Sequence, residues 1–217
     1  MSCCNHCIDA EGLFSQQVAQ RDLRRYRKRG PRFTTRLLLD ALGPAGNQRM
    51  TLLDIGGGVG VIPHELLARG LAGATLVEAS TAYLQACEEE AVRRGQRARL
   101  ACYQGDFVEL AGTLAPADMV TLDRVICCYP DVEKLVNSSV AKAKQFYALV
   151  YPRDHWASKM GAALMNLFLR LRGGSFRTYV HSSEAVDAMV RRHGFCRGFY
   201  ARTFLWQVVV YVRNEAT

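Results

Sequence analysis

The chain has 217 residues, a length at which we expect one domain with a sizeable core. Hydrophobic residues make up 49% of it and charged residues 22%, which excludes the disordered and fibrous classes. The formal net charge of +8 admits an acidic partner, such as nucleic acid or an anionic membrane surface.

The N-terminal residues carry no basic segment followed by an apolar run, so we expect no secretory signal. The most apolar long stretch, residues 156–171, is interrupted by Lys159 and Arg170. It is also shorter than the roughly 20 apolar residues that span a bilayer. We therefore predict a cytoplasmic protein without a transmembrane segment, whose eight cysteines are thiols, core residues or ligands.

Four potential metal ligands begin the chain, at Cys3, Cys4, His6 and Cys7. Structural zinc sites usually combine two separated ligand pairs, and no second pair of this kind follows in the sequence. We therefore predict no metal site. A thiol or soft-metal role and a tail without structure stay open for these residues.

Residues 14–42 show two helical patterns, separated at Gly30 and Pro31 because proline disfavours helix at the residue before it. We expect residues 1–45 to be a tail and a helical cover over a main domain at residues 46–217. The cover contains a basic run at residues 21–29, which is either the solvated face of a helix or a binder of phosphates or carboxylates.

From Thr51 onward, β-rich segments alternate with helical patterns, which predicts βαβ units and a parallel sheet. The last two strands are almost continuous and predict an antiparallel hairpin. Helix ends are predicted at Gly70, Gly95 and Gly194. The predicted strands lie at residues 51–55, 74–78, 99–104, 119–125, 146–151, 199–204 and 207–212, and the predicted helices at residues 61–69, 81–94, 132–143, 156–171 and 182–193.

The predicted helix at residues 156–171 has an unusually broad apolar face. Its large apolar residues recur at helical spacing, which is typical of a face that packs against something. Core packing and the lining of an apolar substrate pocket are both open interpretations. The residues concerned are Trp156, Met160, Leu164, Leu167, Phe168 and Leu171.

The most informative motif is Leu-Leu-Asp-Ile-Gly-Gly-Gly-Val-Gly at residues 52–60, an apolar strand that runs into a glycine-rich turn and a helix. Glycine permits backbone angles closed to other residues and lets a ligand approach the main chain. The segment resembles motif I of the class I S-adenosylmethionine (SAM)-dependent methyltransferases. The residues that carry the resemblance are Asp54, Gly56, Gly58 and Gly60, with Gly57 between them.

Further segments extend the resemblance to this family over residues 50–212. Glu78, followed by Ala79, ends the second strand, where a carboxylate binds the ribose hydroxyls of an adenosine group. Gly105, Asp106 and Phe107 follow the third strand and look like the family's Gly-Asp motif, whose aspartate accepts a hydrogen bond from the adenine amine. Asp123 and Arg124 end the fourth strand, and residues 193–195 match a further family feature before the terminal hairpin.

The resemblance implies a Rossmann-like α/β fold with a seven-stranded, mostly parallel sheet, and SAM as cofactor. It also implies that the acidic and glycine residues above bind that cofactor. Taken singly, some of them have structural interpretations: Asp54 as a helix cap, Asp106 as an Asx-turn residue and Gly57 as a spacer.

Methyl transfer from a sulfonium needs an acceptor that is held close and desolvated. Carboxylates and thiolates are nucleophilic near neutral pH, whereas amines and alcohols need a base. Tyr129 and His155 follow the fourth and fifth strands, where open α/β sheets bind ligands, and are candidate catalytic residues. Tyr26, in the basic cover, is a third candidate.

Two short segments resemble sequences of the magnesium-protoporphyrin O-methyltransferases. They are Cys-Tyr-Pro at residues 128–130 and Tyr-Pro at residues 151–152. That resemblance implies a carboxylate acceptor on a large apolar molecule. The alternatives are methyl transfer to sulfide or a small thiol, methyl transfer to RNA bound by the basic segment, and SAM binding without catalysis. RNA is disfavoured because residues 128–131 do not supply an Asn-Pro-Pro-Tyr-type tetrapeptide, so we predict a small-molecule partner.

Overall fold

The computed structural model describes residues 15–43, 49–174 and 176–214. Its strands are β1 (Thr51–Ile55), β2 (Gly73–Glu78), β3 (Leu100–Gln104), β4 (Ala117–Asp123), β5 (Ala143–Pro152), β6 (Phe195–Arg202) and β7 (Trp206–Arg213). Its α-helices are α1 (Gln16–Arg29), α2 (Phe33–Leu42), α3 (Val61–Ala68), α4 (Thr81–Arg93), α5 (Phe107–Leu110), α6 (Val132–Val140), α7 (Trp156–Leu171) and α8 (Ser183–Arg192).

The strands form one sheet in the order β3-β2-β1-β4-β5-β7-β6. Strands β1 to β5 pair in parallel, and β7 pairs antiparallel with both β5 and β6. The predicted Rossmann-like sheet with a terminal antiparallel hairpin is therefore confirmed. Its topology brings the carboxyl ends of β1, β2 and β4 to one edge, with Ile55 beside Val77 and Asp54 beside Thr121.

Helices cover both faces of the sheet, which explains why its strands are continuous apolar runs. On one face Val120 and Leu149 pack in a cluster with Val136 of α6 and Val190 of α8. On the other face the strands pack against α2, α3 and α4, through residues such as Leu38, Leu66 and Ala91. The predicted boundary between cover and main domain falls at residues 44–48, outside the described residues, and stays a prediction.

Several predicted boundaries are wrong. Strand β4 ends at Asp123, not 125, because Arg124 adopts a positive φ of 63° that a strand cannot continue through. Strand β5 begins at Ala143, which pairs with Ala117 of β4. Strand β6 begins at the buried Phe195 and ends at Arg202, and helix α6 ends at Val140.

The apolar face of helix α7 neither packs into the core nor lines the cavity at the carboxyl edge of β1, β2 and β4, so both interpretations from the sequence are wrong. The large side chains of the stripe are 48 to 78% exposed, so they do not pack into the core. The buried residues of the helix are Ser158 and Leu169, on the other side. The stripe therefore points to solvent.

In the described residues, no helix is both long and apolar enough to cross a membrane. The cytoplasmic location stays a prediction from the sequence.

A buried ionic cluster anchors α1 to α4. Glu90 of α4 is fully buried and accepts hydrogen bonds from Arg27 of α1 at 2.8 Å and from Arg94 at 2.6 Å, as well as from Arg93. Burial acts to raise the pKa of Glu90, but these guanidinium groups outweigh it and hold the pKa well below its usual range. Glu90 therefore stabilises the fold above its unfolded pKa, and this contribution is lost as the pH falls through the folded value.

We expect Glu90→Gln to lower the free energy of unfolding by about 2 kcal/mol, because removing one partner leaves partly buried guanidinium charges unpaired. Urea denaturation at neutral pH measures the loss. The matched control is Glu88→Gln in the same helix, whose carboxylate is 40% exposed and pairs with Arg97 at 3.3 Å. An exposed pair of this kind contributes less than about 1 kcal/mol. Equal losses in the two variants would contradict the anchoring role.

Candidate functional site

A cavity of about 490 Å³ opens at the carboxyl edge of β1, β2 and β4. The turn after β1 forms its floor, and residues of α1 and α2 contribute to its wall. The predicted helical cover therefore lies where the sequence places it. All the predicted cofactor-binding residues except Gly60 line this cavity: Asp54, Gly56, Gly57, Gly58, Glu78, Ala79, Gly105, Asp106, Phe107, Asp123 and Arg124.

The glycine-rich turn has no room for side chains. A Cβ at Gly57 would overlap Oδ2 of Asp54 and approach Cδ1 of Leu76 to 2.6 Å, so Gly57 is not a mere spacer. Gly60 precedes α3 with a φ of 75°, and a Cβ there would overlap Sγ of Cys87. Gly60 therefore shapes the turn from behind the cavity wall, and the backbone of residues 56–58 is left open to a ligand.

Asp54 is almost completely buried at the end of β1. Its Oδ1 accepts a hydrogen bond from the hydroxyl of Thr121 at 2.5 Å, whereas its Oδ2 has no hydrogen-bond partner among the described residues. Burial raises the pKa of Asp54 to about 8, and the nearby carboxylates of Asp123 and Glu78 act in the same direction. Asp54 does not cap α3, so its carboxyl group has no structural role at that helix.

Glu78 joins the glycine-rich turn to the end of β2. Its Oε2 accepts a hydrogen bond from the backbone N–H of Gly58 at 2.9 Å, and its Oε1 accepts one from the N–H of Ser80 at 3.0 Å. Burial raises its pKa, although these backbone donors oppose the shift. A carboxylate held in this way is oriented before any ligand arrives.

Asp106 stands at the start of α5, where its Oδ1 accepts a hydrogen bond from the N–H of Val108 at 2.8 Å. This hydrogen bond to the residue two positions on is that of an Asx-turn, so the Asx-turn interpretation of Asp106 is correct. The same carboxylate accepts a hydrogen bond from the hydroxyl of Tyr129 at 3.0 Å, at Oδ2. Phe107 is buried beside it. Tyr129 thus closes the cavity on the side of the third strand.

Asp123 is a further carboxyl group with little exposure, at the end of β4. The hydroxyl of Thr35 in α2 donates a hydrogen bond to its Oδ2 at 2.6 Å, and Arg124 lies 3.7 Å from its Oδ1. Burial raises the pKa of Asp123. The guanidinium of Arg124 in turn stacks over the ring of Trp206, 4.8 Å from its centroid. These contacts tie the cover to the sheet at the cavity edge.

The arginine side chains of residues 21–32 have two kinds of surroundings: some form salt bridges with α4, and others line the cavity. Arg27 pairs with Glu89 and Glu90 of α4, whereas Arg25 and Arg32 line the cavity and form no salt bridge with a described residue. Burial lowers the pKa of Arg25, and the charge of Arg32 lowers it further. The mouth of the cavity therefore carries positive charge that an anion can neutralise.

The three predicted catalytic residues lie in different surroundings. Tyr129 and Tyr26 line the cavity, but the hydroxyl of Tyr26 donates to Glu65 at 2.6 Å. Burial, this hydrogen bond and the charge of Glu65 raise the pKa of Tyr26 well above its usual value. His155 does not line the cavity; it caps α7, accepting a hydrogen bond at Nδ1 from the N–H of Ala157 at 3.3 Å. The structure does not bring His155 together with the other two.

Several cavity residues were not predicted from the sequence. Tyr83 donates a hydrogen bond to Asp22 at 2.7 Å, and the thiol sulfurs of Cys127 and Cys128 lie 3.6 Å apart. The signal for the cysteines was their place after the fourth strand, and the signal for Asp22 and Arg25 was the basic run at residues 21–29; nothing in the sequence marked the others. The additional lining residues are Asp22, Arg25, Arg32, Thr35, Tyr83, Cys127, Cys128, Phe176, Thr178 and Trp206.

Within residues 15–43, 49–174 and 176–214, no group of three or more His, Cys, Asp or Glu side chains could hold a metal ion. The N-terminal candidates Cys3, Cys4, His6 and Cys7 lie outside the described residues.

Part of the chain is similar to a known protein family. Residues 53–144 match the family model described as "Methyltransferase domain". No curated protein sequence matches the chain.

Solved structures share the fold at low sequence identity. Magnesium protoporphyrin IX methyltransferase from Synechocystis PCC 6803, with bound S-adenosylhomocysteine (SAH), aligns with a TM-score of 0.73 at 16% identity, over 94% of this chain and 98% of that one. An O-methyltransferase family protein from Burkholderia thailandensis gives a TM-score of 0.72 at 14% identity, over 96% of this chain and 62% of that one. Geranyl diphosphate methyltransferase gives 0.67 at 13% identity, over 82% and 77%.

The matched segment contains β1, the glycine-rich turn and the carboxyl groups at residues 54, 78, 106 and 123. Residues 53–144 are thus similar to a methyltransferase domain, and they lie inside a seven-stranded sheet with the Rossmann-like methyltransferase fold.

Proposed function

We propose that this chain is a SAM-dependent methyltransferase that transfers the methyl group of SAM to a carboxylate of an apolar small-molecule acceptor. The observation that carries the acceptor proposal is the pair of guanidinium groups, Arg25 and Arg32, that line the cavity without a salt bridge to a described residue. Guanidinium groups bind carboxylates with two parallel hydrogen bonds and are the preferred side chains for that task.

The residues around the glycine-rich turn fit SAM. Glu78 has its carboxylate oriented for the ribose hydroxyls, and Asp106 is at the position that contacts the adenine amine in the family. The free Oδ2 of Asp54 is a buried acceptor beside Gly57, whose missing side chain leaves room for this carboxyl group. A buried acceptor without a partner is unfavourable unless a ligand satisfies it.

Bound SAM would supply an electrophilic methyl carbon next to a sulfonium, so the chain itself needs only to place and desolvate the acceptor. The cavity is suited to this task. Arg25 and Arg32 would hold the acceptor carboxylate, while apolar residues such as Val59 and Phe176 exclude water.

The phenols of the cavity favour an acceptor that is already ionised. Burial raises the pKa of Tyr83, to well above its usual value, and the same holds for Tyr26. Phenols with such pKa values do not remove a proton near neutral pH. A carboxylate needs no such base, whereas an alcohol or an ammonium group would.

The structural neighbours support a small-molecule acceptor without selecting one, since they include a magnesium protoporphyrin IX methyltransferase and a geranyl diphosphate methyltransferase. The deciding experiment incubates the purified protein with methyl-labelled SAM and single acceptors: porphyrin carboxylates, fatty acids, sulfide, methanethiol and RNA. We expect label to enter a carboxylate, recovered as a methyl ester that alkali hydrolyses. Transfer to sulfide, thiol or RNA alone would overturn the carboxylate proposal, and SAM binding without any transfer would overturn catalysis.

We expect Glu78→Gln to weaken SAM binding about tenfold or more, because a carboxylate that accepts from ribose hydroxyls forms stronger hydrogen bonds than an amide. Isothermal titration calorimetry measures the change. Glu88→Gln, on the surface of α4, is the control and should bind SAM like the unaltered chain. Unchanged affinity in Glu78→Gln, with an intact thermal transition, would exclude Glu78 from the cofactor site.

We expect SAM binding at pH 7 to release up to about one proton, because Asp54, with its pKa raised to about 8, is mostly protonated before the cationic ligand arrives. Calorimetric titrations in phosphate and in Tris would then give different apparent enthalpies, since the released proton is taken up by the buffer. Asp54→Asn should reduce this difference. Identical enthalpies in both buffers, or proton uptake, would contradict the ionisation of Asp54 on binding.

We expect Arg25→Gln to raise KM for the carboxylate acceptor about tenfold with little change in kcat, because Arg25 binds the acceptor without taking part in bond breaking. The matched control is Arg24→Gln, a neighbouring exposed residue that does not line the cavity. Steady-state kinetics at saturating SAM separates the two parameters. If both variants behave alike, Arg25 does not contact the acceptor.

A further inference from the structure

The apolar stripe of α7 is the most unusual surface of the described chain. We call Trp156, Met160, Leu164, Leu167, Phe168 and Leu171 the α7 apolar face. At about 100° per residue these side chains fall within roughly a third of the helix circumference. Water-exposed apolar side chains are common singly, but a contiguous stripe of this kind marks an interaction site.

Helix α7 is firmly held on its other side. Leu169 is buried and packs with Phe176, and the amide of Asn166 bonds to the backbone of Thr178, accepting from its N–H at 2.7 Å and donating to its carbonyl at 2.8 Å. Phe176 and Thr178 line the cavity. The helix is therefore fixed in orientation, with its apolar face directed away from the protein.

The apolar surface continues beyond the helix. The turn between β6 and β7 places Phe204, 69% exposed, and Leu205, 41% exposed, beside the start of α7. The ring of His155 lies 5.6 Å from that of Trp156 and 6.1 Å from that of Phe204, and so connects the two parts. The patch is thus formed by two segments distant in sequence.

Positive charge surrounds this patch. Lys159, Arg170 and Arg172 are exposed on α7 or directly after it; Lys159 pairs with Asp154 at 2.7 Å, and no further aspartate or glutamate occurs from residue 155 to residue 181. The guanidinium of Arg172 lies over the ring of Phe168, 4.3 Å from its centroid, so cationic and apolar groups share one surface. An apolar helix face with a cationic border and a tryptophan is typical of helices that lie in the interface of an anionic membrane.

A second copy of the chain fits this surface less well. In a two-fold symmetric dimer the same patch faces itself, so each cationic border would meet an equal cationic border. Like charges brought together in this way are unfavourable at an interface. An anionic lipid surface offers the opposite charge beside apolar chains.

From the exposed stripe, its extension at residues 204–205 and its cationic border, we propose that α7 docks this protein onto an anionic phospholipid bilayer. The apolar side chains enter the boundary between headgroups and acyl chains, and Lys159, Arg170 and Arg172 contact lipid phosphates. This proposal is independent of the methyl acceptor, since it concerns a surface outside the cavity.

The test is cosedimentation of the whole chain with vesicles of phosphatidylcholine alone, and of phosphatidylcholine with about one third phosphatidylglycerol. We expect binding to the anionic vesicles, weakened at high salt, with a blue shift of tryptophan emission that Trp156→Phe removes. Leu164→Glu/Leu171→Glu should weaken binding at least tenfold. Lys159→Gln/Arg170→Gln should weaken it about thirtyfold, from about 1 kcal/mol per cation. The substituted side chains are exposed, so SAM binding and thermal unfolding should be unchanged in both double variants.

The matched control is Val92→Glu, which changes a 66% exposed apolar side chain on α4 and should leave vesicle binding unaltered. Three results would overturn the proposal. One is the absence of binding to anionic vesicles, and another is equal binding by Leu164→Glu/Leu171→Glu. The third is a concentration-dependent dimer, in the absence of lipid, that this double variant dissociates; a second copy would then be the occupant.

Discussion

The site depends on carboxyl groups buried together at the carboxyl ends of β1, β2 and β4. Asp54, Glu78 and Asp123 all lose hydration there, and burial raises the pKa of each. Such groups are tolerated only where hydrogen-bond donors replace water. Thr121, the glycine-rich turn and Thr35 supply these donors, but Oδ2 of Asp54 and Oδ1 of Asp123 accept no hydrogen bond from a described residue. The cluster is therefore arranged for a ligand that brings donors and positive charge.

Largely buried carboxylates also hold the two helices of the cover in place. Thr35 of α2 donates a hydrogen bond to Asp123, and Arg27 of α1 pairs with Glu90. Cover and cavity are thus linked through charged contacts that also orient Arg25 toward the cavity. One helix supplies both the cation that holds the fold and a cation that lines the cavity. Side chains two positions apart on a helix point about 160° apart, so Arg25 and Arg27 face different surroundings.

The sequence predicted the sheet, and also that the proposed cofactor residues meet at one edge of it, because both follow local rules. A strand that enters a glycine-rich turn has few alternatives, and residues such as Asp54 and Glu78 stand at strand ends that must converge in a parallel sheet. The catalytic candidates depended on tertiary placement instead. His155 follows a strand, as Tyr129 does, but it caps the next helix and points away from the cavity. The contribution of Thr35 and Trp206 arises from contacts between distant segments, which no motif records.

Helix α7 shows a further limit of prediction from the sequence, since its apolar pattern was recognised but the surroundings of that face were not. Periodic apolar residues predict that a helix face is covered, but they do not say what covers it. Here the core holds the face that contains Leu169, and the larger stripe is left in solvent. Because Asn166 and Leu169 also fix the segment that lines the cavity, whatever binds the exposed face lies close to the cavity wall. A surface that attracts apolar, anionic material thus adjoins a cavity whose guanidinium groups suit an apolar carboxylate.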